Sequence, residues 1–316
     1  MDYLVVLQNL RESLPQWITA ALAFISEATL YVLPVVVAVF YWCIDKNFGE
    51  SAMISLSLGN LVSNFLKNIF CVYRPWVRDP RIHVAEAAKS GAGGYSFPSG
   101  HSAAAGSVYG SILERYGKKT WVKVFCIAML ILVPFSRMFL GCHTIWDVAF
   151  GMGLGLFSVT AGGPFARWAD KSVKNALIFS ALSLVLCAVL LAITEMKAYP
   201  MDLTAEGMLL VDPEDMKPSV YSAAGILCGW AVGWPLEKKL VDFDLPVSGK
   251  EAVLRGVCGV AVFLVVFLCM KRIGAGLSRK ADQFLRYFVL IFVLSVLYPA
   301  AFKAVSERKF KKKSEA

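Results

Sequence analysis

The sequence predicts an all-α protein, a polytopic bundle of helices that cross a membrane. Three observations carry that prediction. Of 316 residues, 57% are hydrophobic and 17% charged, with a mean hydropathy of +0.60, whereas soluble domains hold about 45–50% apolar residues with glycine counted. Apolar runs recur along the chain, each near the roughly 20 residues that cross a ~30 Å hydrocarbon core. The turns between them are short, and several are rich in Lys and Arg.

The elements follow in order. Residues 1–26 show no basic n-region with a cleavage site, so they are expected to be an amphipathic N-terminal segment kept on the mature protein. Nine candidate spans come next, over 27–44, 51–72, 100–116, 120–140, 144–164, 175–194, 219–235, 252–270 and 283–303. The seventh is short, Gly-rich and the weakest of the nine. The predicted division is therefore a six-span region over 27–194, an acidic loop over 195–218, further spans over 219–303 and a basic tail over 304–316.

Orientation is predicted from Lys and Arg in short loops. Nine threaded spans place the basic turns at Glu114 to Lys119, Ala166 to Lys174 and Glu237 to Lys239 on one side with the tail, which marks that side as cytoplasmic. The opposite side receives Glu195, Asp202, Glu206, Asp212, Glu214 and Asp215, which outnumber Lys197 and Lys217. Lys271, Arg272, Arg279 and Lys280 run against the rule, since the same threading puts them outside.

The net charge of +9 matches that bias, with a tail drawn to anionic headgroups. No basic face with interleaved aromatics on a soluble module is visible, so a nucleic-acid partner is not expected. The eight cysteines have no metal-ligand spacing. Cys43, Cys126, Cys187, Cys228, Cys258 and Cys269 lie in or at the ends of apolar runs as small hydrophobes. Cys71 and Cys142 lie near external helix ends, where a disulfide is conceivable but reduced thiols are the default.

Ionisable groups inside such segments point to function, and they gather in three stretches. In the first, Ser57, Asn60, Asn64 and Lys67 share one helix face, and Arg74 follows, restricted by Pro75. In the second, "SFPSGHS" from Ser96 to Ser102, Ser99 is a natural helix cap and Gly100 lets backbone approach a ligand. The first amides of that helix make an anion site, with His101 projecting into it. In the third, "SRMFLGCHTIWD" from Ser136 to Asp147, His143 and Asp147 are four apart, so a helix there would put imidazole and carboxylate on one face. Gly151 and Gly155, like Gly106 and Gly110, form small-residue surfaces for close helix packing.

Two crossings separate the two loops concerned, so all three stretches emerge on the same side. Together they supply three cations (Lys67, Arg74, Arg137), a helix N-terminus, two histidines and a carboxylate. Arg grips phosphate oxygens bidentately and Lys adds a point charge, so the chemistry implied is phosphoryl transfer. Arg78, Arg81 and His83 in the external loop are expected to be solvated charges, with headgroup contacts as the alternative. Glu27 is expected to open the first span as an interfacial residue.

These stretches resemble the three-part signature of the type 2 phosphatidic acid phosphatase superfamily. Lys67, Arg74 and Pro75 fill the first part, Pro98, Ser99, Gly100 and His101 the second, and Ser136, Arg137, His143 and Asp147 the third. The likeness covers roughly residues 30 to 165, and the first span also looks like that of membrane members related to sphingosine-phosphate and polyprenyl-diphosphate phosphatases. It implies a six-span phosphatase core without a required metal or other cofactor, to which about three C-terminal spans are added.

The resemblance also implies roles. His143 would attack phosphorus and form a phosphohistidine, Asp147 would orient it, and His101 would protonate the leaving oxygen and later activate water. Lys67, Arg74 and Arg137, with Ser99 and the Gly100 and His101 amides, would stabilise the equatorial oxygens. The function expected is a plasma (inner) membrane phosphatase acting at the external face on a phospholipid or polyprenyl (di)phosphate. A lipid phosphotransferase, a sugar-phosphate phosphatase, and a non-enzyme transporter or lipid binder are the alternatives. Oligomeric state is not legible.

Overall fold

The computed structural model describes residues 1–89, 91–246 and 248–314. Thirteen α-helices appear among them, with no strand. They are α1 (Asp2–Ser13), α2 (Gln16–Cys43), α3 (Lys46–Phe70), α4 (Pro75–Arg78), α5 (Glu86–Lys89), α6 (Gly100–Tyr116), α7 (Thr120–Phe139), α8 (Ile145–Asp170), α9 (Val173–Met196), α10 (Pro213–Leu236), α11 (Gly249–Ile273), α12 (Arg279–Phe292) and α13 (Tyr298–Ser314). A π-helical turn over Val293–Leu297 joins α12 to α13, and another over Glu237–Val241 follows α10. The basic tail expected over 304–316 ends in Glu315 and Ala316, which lie outside the described residues.

Among the described residues, six helical stretches are long and apolar enough to cross a membrane: α2, α7, α8, α9, the α11 stretch to Gly276, and the α12–α13 stretch to Glu307. The chain is therefore a multi-pass membrane protein. The other three predicted spans correspond to α3, α6 and α10, which are long but less apolar for a physical reason. α3 carries its Ser and Asn stripe, α10 begins with Glu214 and Asp215, and α6 is built of Gly, Ala and Ser buried without interruption from His101 to Ser111. A helix surrounded by protein has no lipid-facing stripe to fill with Leu and Val. By contrast Trp121, Val124 and Ile131 on α7 and Leu177, Leu182 and Val185 on α9 are exposed.

The first span differs from its prediction. Pro15 precedes α2, and its carbonyl accepts the amide of Ile18 at 3.0 Å, so the helix starts at Gln16 instead of 27. Glu27 consequently sits well inside the helix instead of opening it.

The chain divides into two compact units. One comprises 1–34, 55–161 and 192–220, the other 35–54, 162–191 and 221–316. In the first, α6 and α8 approach so closely that a Cβ on Gly106 would meet the Met152 carbonyl at 2.8 Å, and one on Gly155 the Ser107 amide nitrogen at 2.8 Å. The glycines thus permit direct backbone contact. α1 braces the end of α7 and the loop between α4 and α5: Arg11 donates to the carbonyls of Phe139 (3.1 Å) and His83 (2.8 Å), and Gln8 Oε1 accepts the His83 amide at 2.7 Å.

The second unit is knitted by buried charge. Glu237, fully buried, accepts from Lys46 Nζ at 3.0 Å, from Tyr41 OH at 3.2 Å and from the Phe243 amide at 3.1 Å. Lys238 pairs with Asp170 and, at 3.3 Å, with Glu50. Arg255 donates to the carbonyls of Trp42 and Asp244 at 3.1 and 2.8 Å and to Glu251 at 2.7 Å.

Candidate active site

All eight residues proposed from the sequence as site residues, Lys67, Arg74, Ser99, Gly100, His101, Arg137, His143 and Asp147, lie in the first unit. The local sequence explains where each is held. Lys67 stands in the last turn of α3, and Arg74 is the residue before Pro75, which starts α4. Ser99 caps α6, its hydroxyl accepting the Ser102 amide at 3.4 Å and the Ser102 hydroxyl at 3.1 Å. A Cβ on Gly100 would meet nothing within 4 Å, so the helix mouth opens into free space. The cap is tied to the third stretch, because the Ser99 amide donates to the Asp147 carbonyl at 2.9 Å. Gly151 allows that approach, since a Cβ there would meet the Ser99 backbone.

His143 and Asp147 come together in a different way from the shared helical face predicted. α8 begins only at Ile145, so His143 precedes it. Asp147 instead closes a reciprocal cap with Thr144: the Thr144 amide donates to Asp147 Oδ2 at 2.6 Å, and the Asp147 amide to Thr144 Oγ1 at 3.3 Å. This is the capping-box arrangement with Asp in the acidic position. The same Oδ2 stands 3.7 Å from His143 Nδ1, beyond hydrogen-bond reach. Ser96 fills the interval, donating to Asp147 Oδ2 at 2.5 Å while lying 3.4 Å from His143 Nδ1. Sequence reasoning gave Ser96 no role although it opens the second stretch.

Arg74 fixes the other side of the imidazole. Its Nη1 is 2.9 Å from His143 Nε2 and 3.0 Å from the Cys142 carbonyl, and Nη2 and Nε donate to the carbonyls of Gly93 (2.8 Å) and Gly94 (3.2 Å). A guanidinium only donates. His143 Nε2 must therefore present its lone pair, and the ring proton sits on Nδ1, toward Ser96 and Asp147. Burial, then the nearby Arg74, Arg137 and Lys67, hold His143 well below the ordinary imidazole range, so the ring is neutral at pH 7. Arg74, lowered by burial to about 10, stays cationic.

Arg137 is wholly buried. Its Nη1 donates to Ser26 Oγ at 2.9 Å and to Glu27 Oε1 at 3.3 Å, while Nε and Nη2 have no partner among the described residues. A buried guanidinium with unspent donors is costly, and its free edge has the chemistry to take an anion. Lys67 interacts electrostatically with Arg74, Arg137 and Asp147. His101 is buried, its Nε2 3.4 Å from Glu27 Oε1 in ion-pair range without hydrogen-bond alignment. Glu27, expected at the interface, is thus part of the cluster, and the signal that could have found it is the rarity of a carboxylate within an apolar run.

Other predicted residues lie elsewhere. Arg81 is an exposed charge, as expected, and is ion-paired at the surface with Asp79 (2.8 Å) and Asp2 (2.9 Å); the pairing lowers Asp79 to about 2. Cys71 and Cys142 are free thiols. Among the described residues no group of three or more His, Cys, Asp or Glu is placed to hold a metal ion.

With this geometry in hand, a family model described as PAP2 superfamily matches residues 51–174. A second, described as PAP2 superfamily phosphatase, transmembrane extension, matches residues 221–309. Searches among curated proteins and among solved structures returned no match.

Proposed function

Since the chain belongs to the PAP2 superfamily of membrane phosphatases, we propose that it hydrolyses a lipid phosphate or diphosphate ester through a phosphohistidine on His143. The observation that carries this reading is the Nε2 lone pair of a neutral, buried His143, fixed by Arg74 and surrounded by Arg137 and Lys67.

The chemistry follows from those positions. Phosphoryl oxygens draw Arg74 Nη1 away from Nε2 and engage the free edge of Arg137, Lys67 and the amides at the mouth of α6. His143 Nε2 attacks phosphorus as the bond to the leaving oxygen breaks, and protonated His101 supplies that oxygen with its proton. Nδ1–H of His143 faces Ser96 and Asp147, whose carboxylate stabilises the positive charge the ring acquires. Water, losing a proton to His101, then attacks phosphorus; the P–N bond breaks and inorganic phosphate leaves. The fixed cations lower the barrier because charge spreads over the equatorial oxygens.

A lipid substrate is supported by a groove of about 560 Å³ beside the site, lined by Phe97, Trp146, Phe150, Gly153, Leu154 and Phe157. Phe97 and Trp146 each sit within two residues of the site residues Ser99 and Asp147. The basic turns and the acidic 195–218 loop support an external site, a cytoplasmic tail and residence in the plasma membrane.

The test is phosphate release by detergent-purified protein from lipid monophosphates, a polyprenyl diphosphate and a sugar phosphate, in EDTA. Release from one lipid class is expected, falling by at least about 10³-fold in His143→Ala. Alkaline quenching should trap base-stable, acid-labile phosphate on the wild type alone. Equal release by wild type and His143→Ala would sink the phosphohistidine, and transfer to an added alcohol in preference to water would favour a phosphotransferase.

A further inference from the structure

Glu27 is a carboxylate inside the first long span, where an ionised group is costly unless partnered, and the reaction above gives it no task. Its Oε1 is 3.4 Å from His101 Nε2 and 3.3 Å from Arg137 Nη1. Ser26, its neighbour in sequence, accepts from the same Nη1 at 2.9 Å. Two consecutive residues of α2 thus hold one nitrogen of the guanidinium and leave Nε and Nη2 for phosphoryl oxygens. The glycine loop closes over the carboxylate: a Cβ on Gly91 would stand 3.0 Å from the Glu27 carboxyl carbon.

The charged and titratable groups that face His101 come from four elements: Glu27 of α2, Lys67 of α3, Arg137 of α7 and His143 before α8. Burial, then Arg137 and Lys67, oppose an imidazolium, and Glu27 is the one carboxylate of the four and favours it. An acid must carry its proton before the leaving oxygen needs it. Resting on the phosphatase reading, we propose that Glu27 is a positioning residue that offsets part of what opposes an imidazolium at His101, so that the ring can take up its proton for the acid step, and that aligns it with the free edge of Arg137. Because the 3.4 Å contact is an ion pair and not a formed hydrogen bond, the Nε2 proton stays available. It passes to the leaving oxygen as the P–O bond breaks, His101 regains one from water, and Glu27 remains ionised throughout.

The experiment measures kcat/KM against pH for the purified full chain with dioctanoyl phosphatidic acid, whose alkoxide leaves poorly, and p-nitrophenyl phosphate, whose phenolate leaves well. Wild type, Glu27→Gln and Glu27→Asp are compared, with inhibition by orthovanadate reporting on the phosphate cradle. Glu27→Gln should lose about 10²-fold on the phosphatidic acid and under about threefold on the aryl ester. Its alkaline limb should move about one unit toward lower pH, with vanadate inhibition kept and part of the loss restored in Glu27→Asp. An equal loss on both esters with the limb unmoved, or no loss, overturns the inference while leaving the phosphatase intact. Should Glu27→Gln not fold, Glu27→Asp decides by the same contrast between esters. A wild type that hydrolyses neither ester removes the phosphatase reading itself.

Discussion

A cation, Arg74 Nη1, stands 2.9 Å from His143 Nε2, and this contact gives Arg74 a task beyond the phosphate binding proposed for it. It selects the tautomer and, in the proposed reaction, yields to the substrate. Lysine cannot reach His143, Cys142, Gly93 and Gly94 with one fork, so Arg74→Lys should lower kcat/KM by about 10²-fold or more, measured beside a thermal melt to confirm folding. Ser96→Ala removes the hydroxyl between Asp147 and His143; kcat should fall about tenfold with KM little changed.

The buried neutral His143 also links stability to pH. Its proton affinity is lowered in the folded state, so below the unfolded value of 6.5 the unfolded chain binds more protons. Folding is therefore weakened as pH falls, by at most about 1.4 kcal/mol per pH unit for one group. Melting temperatures taken from about pH 7 to about pH 5 should drop more steeply for wild type than for His143→Asn, and parallel curves would contradict it. At this scale the sequence was most legible where residue type and spacing together specify chemistry, as in Lys67, Arg74, His101 and His143. Ser96 was missed because a lone serine acquires meaning only from what folding brings against it, and Glu27 because it was placed at the start of the span and not within it.

Between elements, the approach of α6 to α8 sets where Ser99 and Asp147 stand, and glycine is what allows it. Gly155→Val should force the helices apart and destabilise by about 1–3 kcal/mol. Gly153→Ala, two residues away with nothing within 4 Å of an added Cβ, should be neutral or stabilising by up to about 1 kcal/mol. Denaturation of the two variants side by side checks the contrast, and equal effects would show that the interface does not depend on close contact. The spacing of Gly106, Gly110, Gly151 and Gly155 made this packing readable in the sequence. The start of α2 was not, because Pro15 begins the helix in a stretch whose polar residues, Gln16, Thr19, Ser26 and Glu27, dilute the apolar signal. That shift of helix start is also what hid Glu27.

Across the molecule, the second unit depends on Glu237, two of whose three donors, Tyr41 and Lys46, lie 196 and 191 residues away in the chain. Glu237→Ala leaves the half-buried Lys46 without its main anion and the Tyr41 hydroxyl without its acceptor, and should cost about 1–3 kcal/mol, seen as loss of detergent stability; an unchanged melt would mean that Asp242, 3.5 Å from Lys46, compensates. The brace made by α1 has a consequence in time. Arg11 and its acceptor Phe139 are 128 residues apart in the chain, so at about 5–20 residues per second of synthesis the first helix emerges roughly 6–25 s before the carbonyl it will bind. During that interval α2, α3, α6 and most of α7 are being made. The end of α7 is therefore latched late, by a segment made 128 residues before it.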